Sequence, residues 1–318
     1  MNMTPKAVDQ VEILTLQDNY IDITATDNTE VVTRAIPLKE GEIRASIVAE
    51  HGFSALVTTS SQGRSRCLLF DFGFSEDGAA RNVKTLGVDL TKIEAAVLSH
   101  GHSDHTGGMR ALGALAGGRK TPLFVHPAAF KSPRYLKMGP ALRVNFPKLT
   151  KEMVEEAGFT PVATSEPRLI LDDTVLFLGE IPRKTDFERG FPIAYWEDGG
   201  TEKWDAIEDD TSIVMNVRNR GLVILSGCAH AGIVNTVRHA VEVTGIDKIH
   251  AVMGGFHLSG PLFEPIIERT TEELMRMKPD YVVPMHCTGR KAIMAMEGAM
   301  GKAFLLNMAG TKTTFRAA

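Results

Sequence analysis

Cysteine is scarce in this chain of 318 residues, and long apolar runs are missing from it. Only Cys67, Cys228 and Cys287 occur, and their wide spacing excludes the dense disulfide framework of a small secreted domain. We therefore expect a reducing, cytoplasmic setting. No apolar run approaches the roughly 20 residues that a membrane helix needs, and the amino-terminal residues show no apolar signal-peptide stretch. We expect no membrane association.

An excess of positive charge is missing as well. The chain carries 35 lysine and arginine residues against 39 aspartate and glutamate residues, so its formal net charge is −4. Nucleic-acid binding usually leaves a basic excess, and this balance therefore predicts no nucleic-acid partner. The hydrophobic content of 43% and the charged content of 23% are ordinary for a globular protein. We interpret residues 1–318 as a single α/β domain, and the sequence does not indicate its oligomeric state.

Histidine, by contrast, is concentrated in the stretch Ser99 to Gly108, which reads SHGHSDHTGG. Within six residues it contains His100, His102, Asp104 and His105. Imidazole nitrogens and carboxylate oxygens are the ligands that zinc and similar divalent ions prefer. An apolar strand precedes the stretch and a helical pattern follows it, and α/β sheets place their sites at such carboxyl ends of strands. The stretch therefore predicts a metal centre rather than a polar loop.

Three more histidines follow apolar strands and precede helices in the same way: His230, His257 and His286. The chain repeats the order of paired strands, polar turn and helix, so we expect these turns to share one rim of the sheets with the motif. Three other histidines lie at a strand end, within a helix and at a strand start, and we interpret them as structural: His126, His239 and His250.

The pattern His-x-His-x-Asp-His after an apolar strand resembles the signature of the metallo-β-lactamase superfamily. The resemblance implies a four-layer αββα sandwich, one or two metal ions at the sheet edge, and a metal-bound hydroxide as the usual nucleophile. Two departures stand out. Relatives commonly carry a bridging aspartate in a Gly-Asp pair, where this chain has Gly227-Cys228, and a histidine in a Gly-His-Thr element, where it has Asp209-Asp210-Thr211. His230 is the natural replacement for that histidine, and His286 fits the final ligand.

We therefore predict two divalent ions, zinc being expected, with manganese, iron and magnesium left open. The predicted ligands are His100, His102 and His230 for one ion, and Asp104, His105 and His286 for the other. The predicted catalytic residues are Asp104 and His257. His257 is interpreted as a substrate-facing acid or base, with a supporting or structural role as the alternative.

Two residues are candidates for supporting the ligands. Asp71 ends a strand ahead of the motif, and it could accept a hydrogen bond from the outer ring nitrogen of a ligating histidine. The superfamily has an aspartate in a similar Asp-x-Gly element, and a simple turn residue before Gly73 is the alternative. Cys228 is either a thiolate ligand, since zinc accepts sulfur, or a small packing residue.

Residues 127–205 form the least regular stretch, which we interpret as an insertion or lid. A long irregular segment in a compact domain commonly binds substrate, and Arg183 within it is the predicted contact to an anionic group. A solvated surface is the equally weighted alternative for its basic residues.

Further stretches point to one subgroup of the superfamily. They are His51 to Ser54, Gly179 to Arg183, Gly227 to Asn235, Gly254 to Leu258 and His286 to Gly289. They are similar to the proteins grouped with an archaeal synthase that joins a dihydropterin-methyl diphosphate to ribofuranosylaminobenzene 5′-phosphate. We predict a metal-dependent hydrolase that uses a metal-bound hydroxide on a phosphorylated or otherwise anionic small molecule. A dihydropterin-forming transferase with the same dinuclear site is the alternative, and a metal or ligand sensor is the non-enzymatic one.

Overall fold

The computed structural model describes residues 2–43, 45–139 and 141–318. In chain order its strands are β1 (Ala7–Val8), β2 (Gln10–Gln17), β3 (Val32–Thr33), β4 (Leu38–Lys39), β5 (Glu42–Ile43), β6 (Ser54–Ser61), β7 (Arg64–Phe70), β8 (Ala95–Val97), β9 (Thr121–Val125), β10 (Arg134–Lys137), β11 (Arg143–Asn145), β12 (Phe159–Ala163), β13 (Arg168–Ile170), β14 (Val175–Phe177), β15 (Ala194–Asp198), β16 (Thr201–Trp204), β17 (Ser212–Val217), β18 (Gly221–Ser226), β19 (Ile249–Gly255), β20 (Tyr281–Met285) and β21 (Lys312–Arg316). The α-helices are α1 (Gly78–Leu86), α2 (Ser103–Thr106), α3 (Met109–Leu115), α4 (Lys151–Glu156), α5 (Ile233–Thr244), α6 (Ile267–Met277) and α7 (Arg290–Met300). Within these described ranges, no helix combines the length and the apolar character needed to cross a bilayer.

Two large sheets contain most of the strands. The first has the order β13-β14-β17-β18-β19-β20, with β1 beside β17, and the second has the order β12-β9-β8-β7-β6-β2-β21-β3. A small sheet, β11-β10-β15-β16, and the hairpin β4-β5 complete the strands. In each large sheet three neighbouring strands run parallel, β18 with β19 and β20, and β7 with β8 and β9. The carboxyl ends of each trio therefore lie at one edge of its sheet.

The two large sheets face each other across an apolar core. In β18, Val223 and Leu225 lie in this core, whereas Ile224 packs on the opposite face, which explains why the strand reads as a continuous apolar run. Phe70 of β7 and Val97 of β8 reach the same core from the second sheet. Each of these five side chains is fully buried.

Helices cover the outer faces of both sheets. Val83 of α1 and Leu112 of α3 pack on the second sheet. Val234 of α5, Leu274 of α6 and Met296 of α7 pack on the first. The layers therefore run helix, sheet, sheet, helix, and the predicted αββα sandwich is confirmed.

The helix predicted after the histidine motif is interrupted at Gly107 and Gly108, between α2 and α3. A side chain could not be accommodated there, because an added Cβ would lie 1.6 Å from Phe74 O at Gly107 and 2.3 Å from Phe72 O at Gly108. The turn after β7 therefore packs directly on the start of these helices. This close approach holds the Asp71 turn against the motif.

The segment 127–205 is more regular than predicted. β12 extends the second sheet beside β9, and β13 and β14 extend the first beside β17. Its strands are only three to five residues long, too short for a clear period in the sequence, which explains why an irregular insertion was expected. A role as a substrate lid stays a prediction.

Candidate metal centre

Turns that follow the ends of four of these parallel strands contain non-glycine residues in the left-handed backbone region. They are Asp71 after β7 (φ 57°), Ala229 after β18 (φ 48°), His257 after β19 (φ 49°) and His286 after β20 (φ 47°). Such conformations cost about 1–3 kcal/mol each, persist only where the surrounding structure fixes them, and cluster at functional sites. The contacts described below show that these turns and the motif after β8 meet at one rim of the sandwich.

His100, His102 and His230 form a first cluster of imidazoles at this rim. Their ring centroids are 4.5 to 4.9 Å apart, and His100 Nε2 lies 3.2 Å from His230 Nε2. Burial lowers the pKa of all three, that of His102 to about 4. The rings are therefore neutral near pH 7, and neutral imidazole is the form that binds metal ions.

Asp104, His105 and His286 form a second cluster, and Cys228 lies beside it. Asp104 Oδ2 is 3.2 Å from His286 Nε2 and 3.6 Å from His105 Nε2. His105 Nε2 is 3.1 Å from Cys228 Sγ. The ligating atoms of all four residues lie within 4.8 Å of one another. Because burial raises the pKa of Cys228 well above its usual range, we expect a thiol there until a metal displaces its proton.

The two clusters share residues, whereas the two predicted ligand sets share none. His100 groups within 4.8 Å with Cys228 and His230, and also with His102 and Asp104. Asp104 and Cys228 are thus shared between the clusters. Among the described residues, His102 Nε2 is buried without a hydrogen-bond partner. A buried unpartnered nitrogen within a set of imidazole, carboxylate and thiol donors fits divalent metal ions.

Two of the predicted ligand histidines have acceptors for their outer ring nitrogens. His105 Nδ1 lies 2.6 Å from Asp71 Oδ2, and His286 Nδ1 lies 3.2 Å from Asn19 Oδ1. Each contact fixes the tautomer in which Nε2 remains free for a metal. Burial lowers the pKa of His105, but the charges of Asp104 and Asp71 outweigh burial and raise it to about 9. A metal ion at His105 would replace that proton.

Comparisons with known proteins agree with this geometry. The family model for the metallo-beta-lactamase superfamily matches residues 49–184. A curated relative from Methanocaldococcus jannaschii, 7,8-dihydropterin-6-methyl-4-(beta-D-ribofuranosyl)-aminobenzene-5'-phosphate synthase, is 32% identical over 252 residues, which cover 77% of this chain and 83% of that protein. The chain belongs to the metallo-beta-lactamase superfamily.

Two further similar proteins match most of this chain. An uncharacterized protein of the same archaeon is 27% identical over 77% of this chain and 86% of its own length. The crystal structure of Tm1679, a metal-dependent hydrolase of the beta-lactamase superfamily, superimposes with a TM-score of 0.70 at 24% identity. That match covers 96% of this chain and 99% of Tm1679, and it shows a shared fold.

One departure from the common superfamily pattern now has a structural account. Asp209 lies in the region where relatives carry a histidine, and Gly101 N, between His100 and His102, donates to Asp209 Oδ2 at 2.7 Å. Arg134 donates to both Asp209 and Asp205, and all three side chains are almost completely buried. This network fixes the backbone between two of the predicted ligand histidines. Sequence reasoning missed it because its members are about 30 to 110 residues from Gly101 along the chain.

His51 is a second residue that sequence reasoning missed. Its Nε2 lies 3.5 Å from Asp104 Oδ2, its ring centroid is 4.7 Å from that of His286, and its side chain is 60% exposed. Asn19 Nδ2 contacts His51 Nδ1 at 3.2 Å. The stretch His51 to Ser54 contributed to the narrower resemblance, but it did not indicate a position for the His51 ring at the metal centre. The structure places this imidazole at the solvent side of the metal centre.

His257 and His230 both line a cavity of about 550 Å³ beside the candidate metal centre. Its ring centroid is 4.2 Å from that of His230 and 4.5 Å from that of Phe263. The cavity wall is mainly apolar and includes Phe187, Trp204, Phe256, Leu258, Phe263 and Ile266. A small molecule in this cavity would contact both His230 and His257.

Arg183 lies behind the metal centre. Its Nη2 donates to the backbone carbonyl of Ala206 and, at 3.3 Å, to that of His230. The guanidinium therefore supports the turn that presents His230. Its predicted contact to an anionic substrate stays a prediction, and the structure gives the group these two carbonyl partners instead.

Proposed function

We propose that this protein is a metal-dependent hydrolase that acts on a phosphorylated or otherwise anionic small molecule. One observation supports this above all: six histidine and aspartate donors and one cysteine converge at a rim that borders a cavity of about 550 Å³. The fold family and the donor types favour two divalent ions, with zinc expected. The six donors are His100, His102, Asp104, His105, His230 and His286.

The residues of the chain prepare this rim for hydrolysis. A bound divalent metal would lower the pKa of a coordinated water from 15.7 to about 7 and polarise the scissile bond. Asp71 and Asn19 hold His105 and His286 in the tautomer that binds metal. His257, which lines the cavity beside His230, would hold or donate a proton at a leaving group.

An anionic substrate is favoured by the charges at the rim. In the predicted ligand sets Asp104 is the only carboxylate, so two divalent ions would leave the centre with a net positive charge. Arg189, which lines the cavity, adds a further positive charge on the substrate side. The cavity wall is otherwise mainly apolar, which favours a substrate with an apolar part beside its anionic group.

Metal-free protein and protein reloaded with zinc should be compared on phosphomonoesters, phosphodiesters, diphosphates and lactones, with water as the only second reactant. We expect cleavage of at least one class, only by the reloaded protein. His102→Ala should abolish it, whereas His126→Ala should retain it, because His126 caps a short turn through Ala128 N, pairs with Glu180 at 3.7 Å and belongs to none of the donor clusters formed by the described residues. A metal-loaded protein that cleaves no member of the panel contradicts the proposal.

A transferase is the second candidate, and a second cleft favours it. Phe146 stacks on His102 with ring centroids 4.3 Å apart and planes 10° apart. The cleft beside Phe146 has a volume of about 720 Å³ and includes Ser103 and Thr106 of the motif. A hydrolase needs one organic substrate, whereas one cavity lined by His230 and another lined by Phe146, which stacks on His102, suit two. The curated relative at 32% identity is a synthase.

The two candidates differ in what they need for turnover. Release of product without a second organic substrate supports the hydrolase. Product that forms only when an amine or carbon nucleophile is added, with loss of a diphosphate, supports the transferase. We also propose a reducing, cytoplasmic setting, since Cys67, Cys228 and Cys287 are all free thiols.

A further inference from the structure

Each of three adjacent parallel strands is followed, two residues after its last residue, by a cysteine or a histidine. β18 ends at Ser226, β19 at Gly255 and β20 at Met285, and the residues two positions further are Cys228, His257 and Cys287. The strands pair with Ser226 opposite Gly254 and Gly255 opposite Met285. This register brings the three turns side by side at the rim.

The three side chains lie close enough to share one ion. Their ligating atoms are all within 4.8 Å of one another. Both thiols are buried, and His257 Nδ1 is a buried nitrogen without a hydrogen-bond partner among the described residues. Among the described residues, the backbone hydrogen bond of Cys287 Sγ is a long one, to Cys228 O at 3.7 Å, and its polar side-chain neighbours include Cys228 and His257 themselves. Their buried donor atoms are thus poorly satisfied by the protein alone.

The surrounding backbone holds the three turns in place. Phe256 N, beside His257, donates to Thr288 Oγ1, beside Cys287, at 3.0 Å. Gly255 has no side chain where one would collide, because an added Cβ would lie 2.6 Å from Cys287 Sγ. The absence of a side chain at Gly255 therefore leaves room for the Cys287 sulfur.

We propose that Cys228, His257 and Cys287 form a third metal position that takes a thiophilic divalent ion such as zinc. Two sulfurs and one imidazole are a donor set that zinc accepts with its fourth coordination position left open. The soft sulfurs select against magnesium and calcium. Each thiol releases its proton to solvent as its sulfur binds the ion. Cys228 Sγ also lies 3.1 Å from His105 Nε2, so its thiolate links this position to the second ligand cluster.

The rim would then contain three ion positions with different donor sets. The predicted ligand sets use only imidazole and carboxylate, whereas the third position uses both sulfurs and leaves those sets intact. A metal ion there would lie beside the cavity, since His257 is one of the cavity residues, and with that ion bound His257 would serve as its ligand instead of transferring a proton. The third ion would add positive charge on the substrate side of His230.

Metal content per chain after anaerobic zinc loading tests the proposal. We expect three zinc ions in the wild type and two in Cys287→Ser, because a serine hydroxyl is a poor zinc ligand. Cys67→Ser is the matched control, since Cys67 lies on β7 away from the rim, and it should retain three. Cobalt loading should give a sulfur-to-cobalt charge-transfer band that is weaker in Cys287→Ser and unchanged in Cys67→Ser.

His257→Asn provides a second variant in case Cys287→Ser does not fold. It keeps both thiols and should also bind one ion fewer than the wild type. Two ions in the wild type and in both variants would overturn the third position while leaving the metal centre of the proposed function intact. No bound metal in the wild type would overturn both. A Cys228–Cys287 disulfide in protein purified under reducing conditions would also overturn the third position.

Discussion

His105 Nδ1 lies 2.6 Å from Asp71 Oδ2, and both side chains are completely buried. The same carboxylate accepts hydrogen bonds from Ser99 N and from Ser99 Oγ, both at 2.7 Å. Asp71 thus connects the turn after β7 to the start of the histidine motif. Because it holds the outer nitrogen of His105, it controls how the inner nitrogen of that ring faces a metal ion.

Replacing this aspartate tests that control. Asp71→Asn keeps the size of the side chain and tolerates the left-handed backbone, but it loses one acceptor oxygen and the negative charge. We expect the affinity for the ion at His105 to fall by about 10- to 100-fold. Competition with a chromophoric chelator measures this fall. Asp9→Asn, an exposed aspartate paired with Arg218, is the control, and equal affinities in both variants would contradict the role of Asp71.

Arg134 should contribute far more to stability than an exposed arginine does. Arg134→Met leaves Asp205 and Asp209 buried without their cation, and breaking such a buried network costs about 3–5 kcal/mol. Arg218→Met removes a half-exposed ion pair with Asp9 and should cost about 1 kcal/mol or less. Urea unfolding of both variants measures the difference. Comparable losses in the two variants would show that the network adds little to folding.

The site divides into residues that the sequence could indicate and residues that it could not. His100 to His105 were predictable because their donors lie within one turn, so local spacing alone brings them together. His230 and His286 were predictable from their positions at strand ends, since parallel strands bring such ends to one edge. These predictions depended on short-range pattern and on one topological rule.

The remaining residues depend on how distant segments pack. Asn19 and His51 meet His286 only because the two sheets face each other, and no local pattern carries that information. The contact of Asp209 with Gly101 requires the segment 127–205 to bring Arg134 beneath the motif. The layered fold followed from the alternation of elements, whereas the short strands of that segment were too brief to indicate their sheets.

We expect the buried Glu188 to make the free energy of unfolding depend on pH. It accepts hydrogen bonds from Val234 N at 2.8 Å and Asn235 N at 2.9 Å, and burial raises its pKa to about 7 despite these bonds. A carboxyl whose pKa is higher in the folded than in the unfolded state stabilises the fold when protonated. That stabilisation is complete below its ordinary pKa of 4.5 and is lost as the pH rises through about 7.

Glu188→Gln removes this titration while retaining an acceptor for the helix amide groups. Relative to the variant, the wild type should lose on the order of 1–3 kcal/mol of unfolding free energy between about pH 5 and about pH 8. Denaturant unfolding of both proteins at the two pH values gives the difference. A gap between wild type and variant that stays constant with pH would show that Glu188 does not titrate in this range.

His230 is the predicted replacement for the histidine that superfamily relatives carry ahead of β18. Its Nε2 lies 3.2 Å from His100 Nε2, so its removal leaves one ion with His100 and His102 as the only remaining members of its predicted set, whereas a catalytic zinc normally keeps three protein ligands. His230→Ala should therefore bind one zinc fewer than the wild type and lose turnover. His250→Ala is the control, because that buried histidine pairs with Asp280 at the opposite end of β19. Elemental analysis counts the ions, and a full complement in His230→Ala would reject His230 as a ligand.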